Sequence, residues 1–152
     1  MREGAHLNTN QRANLVTLVS DQYIFSTLHG IGDMKSPGID GFGARFFKSS
    51  SQTIKGDVID VVHNFFQHER LYKVVNYTVV TLIIEGATSI NDYRPITGCI
   101  TVYKIIFRIL TARLSKVIGS IVGSCQVAFI PGQQINNHIL IAYELIKGYS
   151  RK

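Results

Sequence analysis

The stretch TVYKIIFRILTARLSKV, residues 101–117, carries the strongest folding signal in the sequence. Its large apolar side chains recur at three- and four-residue spacing, which predicts an amphipathic helix over Thr101–Val117 with one buried face. The residues of that face are Val102, Ile105, Ile106, Ile109, Leu110 and Leu114. The basic residues around it are Lys104, Arg108, Arg113 and Lys116. We therefore expect this helix to pack on a core while it presents positive charge beside that core.

Shorter patterns on both sides of this helix predict an α+β fold that is mainly helical, with short β-strands. Three-residue and four-residue apolar spacing predicts helices, whereas β-branched runs predict strands. The predicted elements are helices over Asp21–Ile31, Gln52–His68 and Gln134–Tyr149, a helical turn over Phe42–Lys48, a buried strand over Tyr77–Ile84 and extended backbone at Arg94–Ile96. The last helix is predicted to bury Ile135, Ile139, Ala142 and Ile146. Residues 1–19 are predicted to form an irregular leader, and residues 20–152 to form one domain.

Composition excludes several classes of protein. The chain has 152 residues, of which 45% are hydrophobic and 17% are charged, so it differs from disordered sequences. Its apolar runs are too short or too interrupted for a membrane-spanning helix, so no membrane partner is expected. Its two cysteines, Cys99 and Cys125, are too few for a disulfide framework or a zinc site.

Positive charge is concentrated in the last part of the chain. Residues 93–152 contain eight basic residues and one acidic residue, whereas residues 1–92 contain eight basic and nine acidic residues. Clustered positive charge attracts phosphate backbones, because counterion release favours binding. A nucleic-acid partner and an ordinary basic surface that maintains solubility both fit this pattern.

Local motifs for catalysis are missing from the sequence. The acidic residues are scattered, so no pair of metal-binding carboxylates is evident. No nucleophile elbow is present, and the glycines at 38, 41 and 43 are not followed by the Gly-Lys-Ser/Thr of a phosphate-binding loop. These residues by themselves predict a basic module without a self-contained active site.

Four motifs nevertheless follow one another at consistent spacing. They are KSPGIDGF at 35–42, NDYRPI at 91–96, VYKII to ARL within 102–114, and QVAFIPG at 126–132. Together they resemble the ordered elements of non-LTR (LINE-type) retrotransposon reverse transcriptases, especially those of plants. The resemblance extends from about residue 14 to the end of the sequence.

The resemblance implies a fold and a set of site residues. The fold is the fingers and the start of the palm of a right-handed polymerase. Arg94 corresponds to the fingers arginine that contacts the triphosphate of the incoming nucleotide. The residues that correspond to the nucleic-acid path are Lys35, Lys104, Arg108, Arg113 and Gln126. Structural alternatives are a pairing of Arg94 with Asp92 or a loop carbonyl, a simple exposed turn at Lys35, and a solvated helix face for the other cations.

The family's enzyme is an RNA-directed DNA polymerase, which uses an RNA template, a DNA primer and Mg²⁺. Its catalytic aspartates belong to F-x-x-x-D and Y-x-D-D elements, and neither pattern occurs in these 152 residues. We therefore expect a truncated polymerase domain that is inactive alone, with the missing palm and thumb as a partner. The alternatives are a stand-alone RNA- or DNA-binding module and a non-functional retroelement remnant. The resemblance leaves open whether the protein is nuclear or cytoplasmic.

Overall fold

A computed structural model of the chain describes residues 6–84, 89, 93–123, 139, 143–144 and 146–147. It divides into two compact units. The central unit is Leu18–Leu110, and the terminal unit combines Met1–Thr17 with Thr111–Lys152. In chain order the elements are α1 (Thr9–Val16), α2 (Asp21–His29), α3 (Ala44–Ser49), α4 (Ser51–His68), β1 (Thr78–Ile84), β2 (Tyr93–Cys99), α5 (Thr101–Leu114) and α6 (Ile118–Ile121). The predicted α+β class is confirmed.

Local sequence explains where the helices of the central unit begin and end. Helix α2 begins after Ser20, whose hydroxyl accepts a hydrogen bond from the backbone N–H of Tyr23. It ends at His29, before Gly30, and is therefore two residues shorter than predicted. Helix α4 begins one residue before its predicted start and ends at His68, as predicted. The next residue, Glu69, adopts left-handed backbone geometry with a φ of 55°.

The core of the central unit is centred on α5. Ile105, Ile106 and Ile109 are fully buried, as the apolar spacing of residues 101–117 predicts. The helix ends three residues before its predicted end, and the predicted burial of its last residue, Leu114, is wrong, since Leu114 is 46% exposed. The neighbouring helices contribute Ile24 and Leu28 from α2 and Val58 and Val62 from α4. Each such side chain stabilises the fold by about 1.5–3 kcal/mol through removal from water. This core fixes the position of the start of α5, beside which the groove described in the next subsection lies.

The sheet of the central unit contains two antiparallel strands. Their register pairs Thr78 with Cys99 and Ile84 with Tyr93. The strand and the extended backbone at Arg94–Ile96 are confirmed, but the predicted burial of the strand is wrong. Val80 and Leu82 are each 60% exposed. Their β-branched and aliphatic character favours a strand but does not supply a covering layer, and a two-stranded sheet offers few neighbours.

The terminal unit contains a helix where the sequence predicted an irregular leader. Helix α1 forms because Asn8 and Gln11 make a reciprocal capping box at its N-terminus. The predicted boundary between residues 1–19 and 20–152 itself stays a prediction.

The predicted helix over Gln134–Tyr149 is described at only five positions, all of them helical. The predicted burial of Ile139 and Ile146 is wrong, since they are 59% and 67% exposed. An apolar stripe is buried only where another surface packs on it, and Val117 is the buried residue among those described in this unit. Ile135 and Ala142 lie outside the described residues. Among the helices described, none is long and apolar enough to cross a membrane.

Candidate nucleic-acid interface

The segment Lys35–Phe42 is irregular backbone with a bend at Lys35 and a turn at Ile39 and Asp40, and its Pro, Gly and Asp residues predict such a conformation. The backbone N–H of Gly41 donates to the carbonyl of Gly38 at 3.1 Å, and Gly41 has a φ of 74°. Glycine suits that left-handed conformation because it has no Cβ to clash. The Asp40 carboxylate accepts a hydrogen bond from the Phe42 N–H at 3.2 Å. The segment, called the 35–42 turn below, therefore has its own internal hydrogen bonds.

Three contacts fasten the 35–42 turn to the junction between β2 and α5. Gly38 packs directly on Ile100, so closely that a Cβ at position 38 would lie 2.5 Å from the Ile100 nitrogen. The hydroxyl of the fully buried Thr101 donates to the Phe42 carbonyl at 3.0 Å. The Lys104 ammonium donates to the Ser36 carbonyl at 2.5 Å. The turn is therefore held at its beginning, middle and end.

An open groove lies between this turn and one face of the two-stranded sheet. Its volume is about 470 Å³, which falls within the usual range for ligand sites of about 300–1,000 Å³. Its lining comes from the turn, both strands and the first part of α5. The lining residues are Lys35, Ser36, Pro37, Gly38, Val79, Thr81, Ile83, Ile96, Thr97, Gly98 and Lys104.

Arg94 lies on the same sheet face as this groove. The register places Arg94 opposite Ile83, and Ile96 opposite Thr81. Because side chains alternate between the two faces of a strand, Arg94 shares the face of Ile96. Arg94 is exposed and lies four residues from Gly98, a spacing of about 13 Å along the strand. Lys35 and Lys104 thus line the groove, and Arg94 lies beside it on the same sheet face, opposite the lining residue Ile83, although the three are far apart in sequence.

The other two predicted cations of α5 are bonded to backbone carbonyls. In the central unit, Arg108 donates to the carbonyl of Gly30 at 2.7 Å, just after the end of α2. In the terminal unit, Arg113 donates to the carbonyl of Leu15 at 3.0 Å and to that of Thr17, at the end of α1. Cations at helix C-termini are favourable because the last carbonyls carry partial negative charge. Nucleic-acid contact by Arg108 and Arg113 stays a prediction, and Gln126 lies outside the described residues.

An ion pair fixes the segment that precedes the 35–42 turn. The Lys48 ammonium donates to the Asp33 carboxylate at 2.5 Å and to the Ile31 carbonyl at 2.6 Å. The hydrogen bond and the positive charge of Lys48 hold the pKa of Asp33 below its ordinary value. The sequence does not predict this pair, because no local pattern links residues that are 15 positions apart.

The described residues offer no donor set for the Mg²⁺ that the resemblance implies. Among them, no three His, Cys, Asp or Glu side chains lie close enough together to hold a metal ion. Asp57 and Asp60, which share a side of α4, are exposed, as in an ordinary solvated helix face.

Comparison with known proteins gives one distant similarity. No protein-family model matches the chain. It is 23% identical over 142 residues to the transposon TX1 uncharacterized 149 kDa protein of Xenopus laevis. The match covers 92% of this chain but 11% of that protein, so the chain spans about one-ninth of the relative's length. The similarity supports a retroelement origin for the sequence.

Proposed function

We propose that this chain is the fingers and the start of the palm of a LINE-type reverse transcriptase, with motifs closest to those of plant elements. In this proposal the groove beside the 35–42 turn takes the phosphates of the RNA template and the DNA primer. Arg94 takes the triphosphate of the incoming nucleotide. The carboxylates for metal-dependent polymerisation come from the palm elements that this sequence does not contain.

One observation carries the proposal: the convergence of Lys35, Arg94 and Lys104 on one face of the central unit. These residues belong to three separate sequence motifs, at 35–42, 91–96 and 102–114. The turn and the register of β1 and β2 bring the motifs together around the groove. The similarity to a transposon protein over 142 residues supports the same origin.

The chemistry of Arg94 and Lys35 fits phosphate ligands. Arg94 carries a permanent charge and a planar fork of donors, which matches the oxygens of a triphosphate. The Lys35 ammonium is a compact charge at the rim of the groove, suited to a single phosphate.

A stand-alone nucleic-acid-binding module is the second candidate. The central unit has its own buried core of residues from α2, α4 and α5, which favours independent folding. Such a module needs the same phosphate contacts but no nucleotide triphosphate. The two candidates therefore differ in the role of Arg94.

The experiment titrates the full chain with a fluorescent single-stranded RNA, and separately with a fluorescent deoxynucleoside triphosphate. We expect Lys35→Gln to weaken RNA binding and Arg94→Gln to weaken triphosphate binding. The matched controls are Lys73→Gln and Arg70→Gln, two exposed cations that do not line the groove.

Each result selects among the candidates. Loss of triphosphate affinity in Arg94→Gln, but not in Arg70→Gln, supports the polymerase proposal. RNA binding without any triphosphate binding favours the stand-alone module. An absence of RNA binding, or an equal effect of the control substitutions, contradicts a role for the groove.

A further inference from the structure

We infer that Lys104 is a positioning residue, which acts on the ligand through the 35–42 turn and not by binding phosphate itself. This inference rests on the proposed function of the groove. Its starting point is the Lys104 ammonium, which donates to the Ser36 carbonyl, next to Lys35 in the chain. Lys104 is partly buried, whereas Lys35 is exposed at the groove. The two lysines therefore have different surroundings although both line the same groove.

The backbone of Lys104 belongs to a well-packed part of the core. It lies on the first turn of α5, between the fully buried residues Thr101 and Ile105. Its backbone N–H donates to the Ile100 carbonyl at 3.2 Å, and Ile100 is the residue on which Gly38 packs. A side chain anchored on such a core can fix the position of a loop that it contacts.

The 35–42 turn needs this fastening at its first part. Its end is held by Thr101, and its middle by the contact between Gly38 and Ile100. Pro37 has no backbone N–H and gives no donor to the segment. Lys35 is held on one side by its own backbone N–H, which donates to the Gly32 carbonyl at 3.2 Å. Of the hydrogen bonds described, that of the Lys104 ammonium is the one that holds the next residue, Ser36.

Two features of the site are explained by this assignment. An ammonium that already donates to a carbonyl has fewer donors left for a phosphate, since lysine has three in total. A fixed backbone at Ser36 also limits the positions that the flexible Lys35 side chain can reach, which lowers the entropy lost on binding. The groove therefore uses Lys35 for the contact and Lys104 for its placement.

The test is a double-substitution cycle with the full chain and a fluorescent single-stranded RNA. The variants are Lys104→Met, Lys35→Gln, both together, and Lys104→Arg, with Lys73→Gln as the control. Affinity is measured across a range of salt concentrations. Hydrogen exchange of the Gly41 amide, which donates to Gly38 within the turn, reports the order of the turn independently of RNA.

A positioning role predicts three results. Lys104→Met weakens RNA binding about tenfold or less, speeds exchange at Gly41, and has little further effect once Lys35 is replaced. Lys104→Arg restores affinity, because its guanidinium also donates to a carbonyl. The salt slope is the slope of log affinity against log salt concentration. The loss of one phosphate contact to a single strand makes this slope shallower by about 0.7, and we expect that change in Lys35→Gln.

Other results overturn the inference. Additive losses in the double variant, with a second drop of about 0.7 in salt slope, make Lys104 a direct phosphate contact. Unchanged exchange at Gly41 in Lys104→Met removes the positioning role even if affinity falls. If the wild-type chain binds no RNA, the proposed function fails and the inference about Lys35 fails with it, whatever the exchange data show.

Discussion

Replacement of Gly38 by alanine tests how the 35–42 turn is built. The Cβ of an alanine at this position would lie 2.5 Å from the Ile100 nitrogen and 2.6 Å from both the Cα and the Cγ2 of Ile100. Two of these three atoms belong to the backbone, so they cannot move aside as a flexible side chain does. The turn must therefore separate from the junction between β2 and α5.

The expected cost of Gly38→Ala is about 1–3 kcal/mol, the usual range for overpacking a tight contact. For a chain of this size, each kcal/mol lowers the melting temperature by roughly 2–4 °C, so we expect a drop of roughly 2–12 °C. Gly32→Ala is the matched control, because its nearest neighbour would be the Lys35 Cγ at an ordinary 3.8 Å. That substitution is expected to be neutral, or to stabilise the chain by up to about 1 kcal/mol.

Thermal melts followed by far-UV circular dichroism compare the two variants with the wild-type chain. The free energy of unfolding is defined only if the transition is cooperative, which the wild-type melt establishes first. Equal stability of Gly38→Ala and Gly32→Ala would refute the close packing of the turn on Ile100. RNA titration of Gly38→Ala is also expected to show weaker binding, because the wall of the groove is displaced.

Three further predictions concern the core, the ion pair and the sheet. Ile106→Ala should lower the free energy of unfolding by about 2–5 kcal/mol in a denaturant titration, because the side chain is fully buried; a cost below 1 kcal/mol would contradict the core. Lys48 lowers the pKa of Asp33 in the folded chain below its ordinary value of 3.8. The contribution of this pair to the free energy of unfolding is therefore present above pH 3.8 and is lost as the pH falls through the lowered pKa of the folded state. Asp33→Asn should remove this part of the acid dependence, whereas an unchanged pH profile would show that the pair does not form. Leu82→Ala should change stability by no more than about 0.5 kcal/mol, since Leu82 is 60% exposed, and a larger loss would indicate a covering layer.

The order of the helices could be predicted because each contains its own signal. The apolar spacing of residues 101–117 predicted both the helix and its buried isoleucines, and Ser20 marked the start of α2. The local signal at Asn8 and Gln11 was also present but was overlooked, because the surrounding residues are polar. Periodicity identifies helices most reliably when one face is strongly apolar.

Burial and side-chain partners could not be predicted in the same way. The apolar run of β1 looks the same whether or not a second layer covers it, so its exposure was unexpected. The positive charge of Arg108 and Arg113 was evident, but the carbonyls to which they donate lie 78 and 98 residues away along the chain. Such partners depend on tertiary structure, and a single sequence contains no direct record of them.

The motifs supplied candidate residues for the site, but they did not predict how those residues are arranged. The motifs singled out Lys35, Arg94 and Lys104, yet nothing in their spacing indicated that a sheet register and a fastened turn bring them to one groove. The contact of Thr101 with the Phe42 carbonyl was also missed. A threonine at the first position of a buried helix is a weak signal for such a contact, since many helices begin in this way.

The salt dependence of RNA binding by the full chain tests the central claim most directly. If Lys35 contacts an RNA phosphate in the groove, log affinity falls linearly with log salt concentration, with a slope of about −0.7 or steeper. The variant Lys35→Gln should then lose about 0.7 from that slope, whereas Arg94→Gln should leave it unchanged. A slope near zero in the wild-type chain, or an unchanged slope in Lys35→Gln, would contradict a phosphate-binding groove.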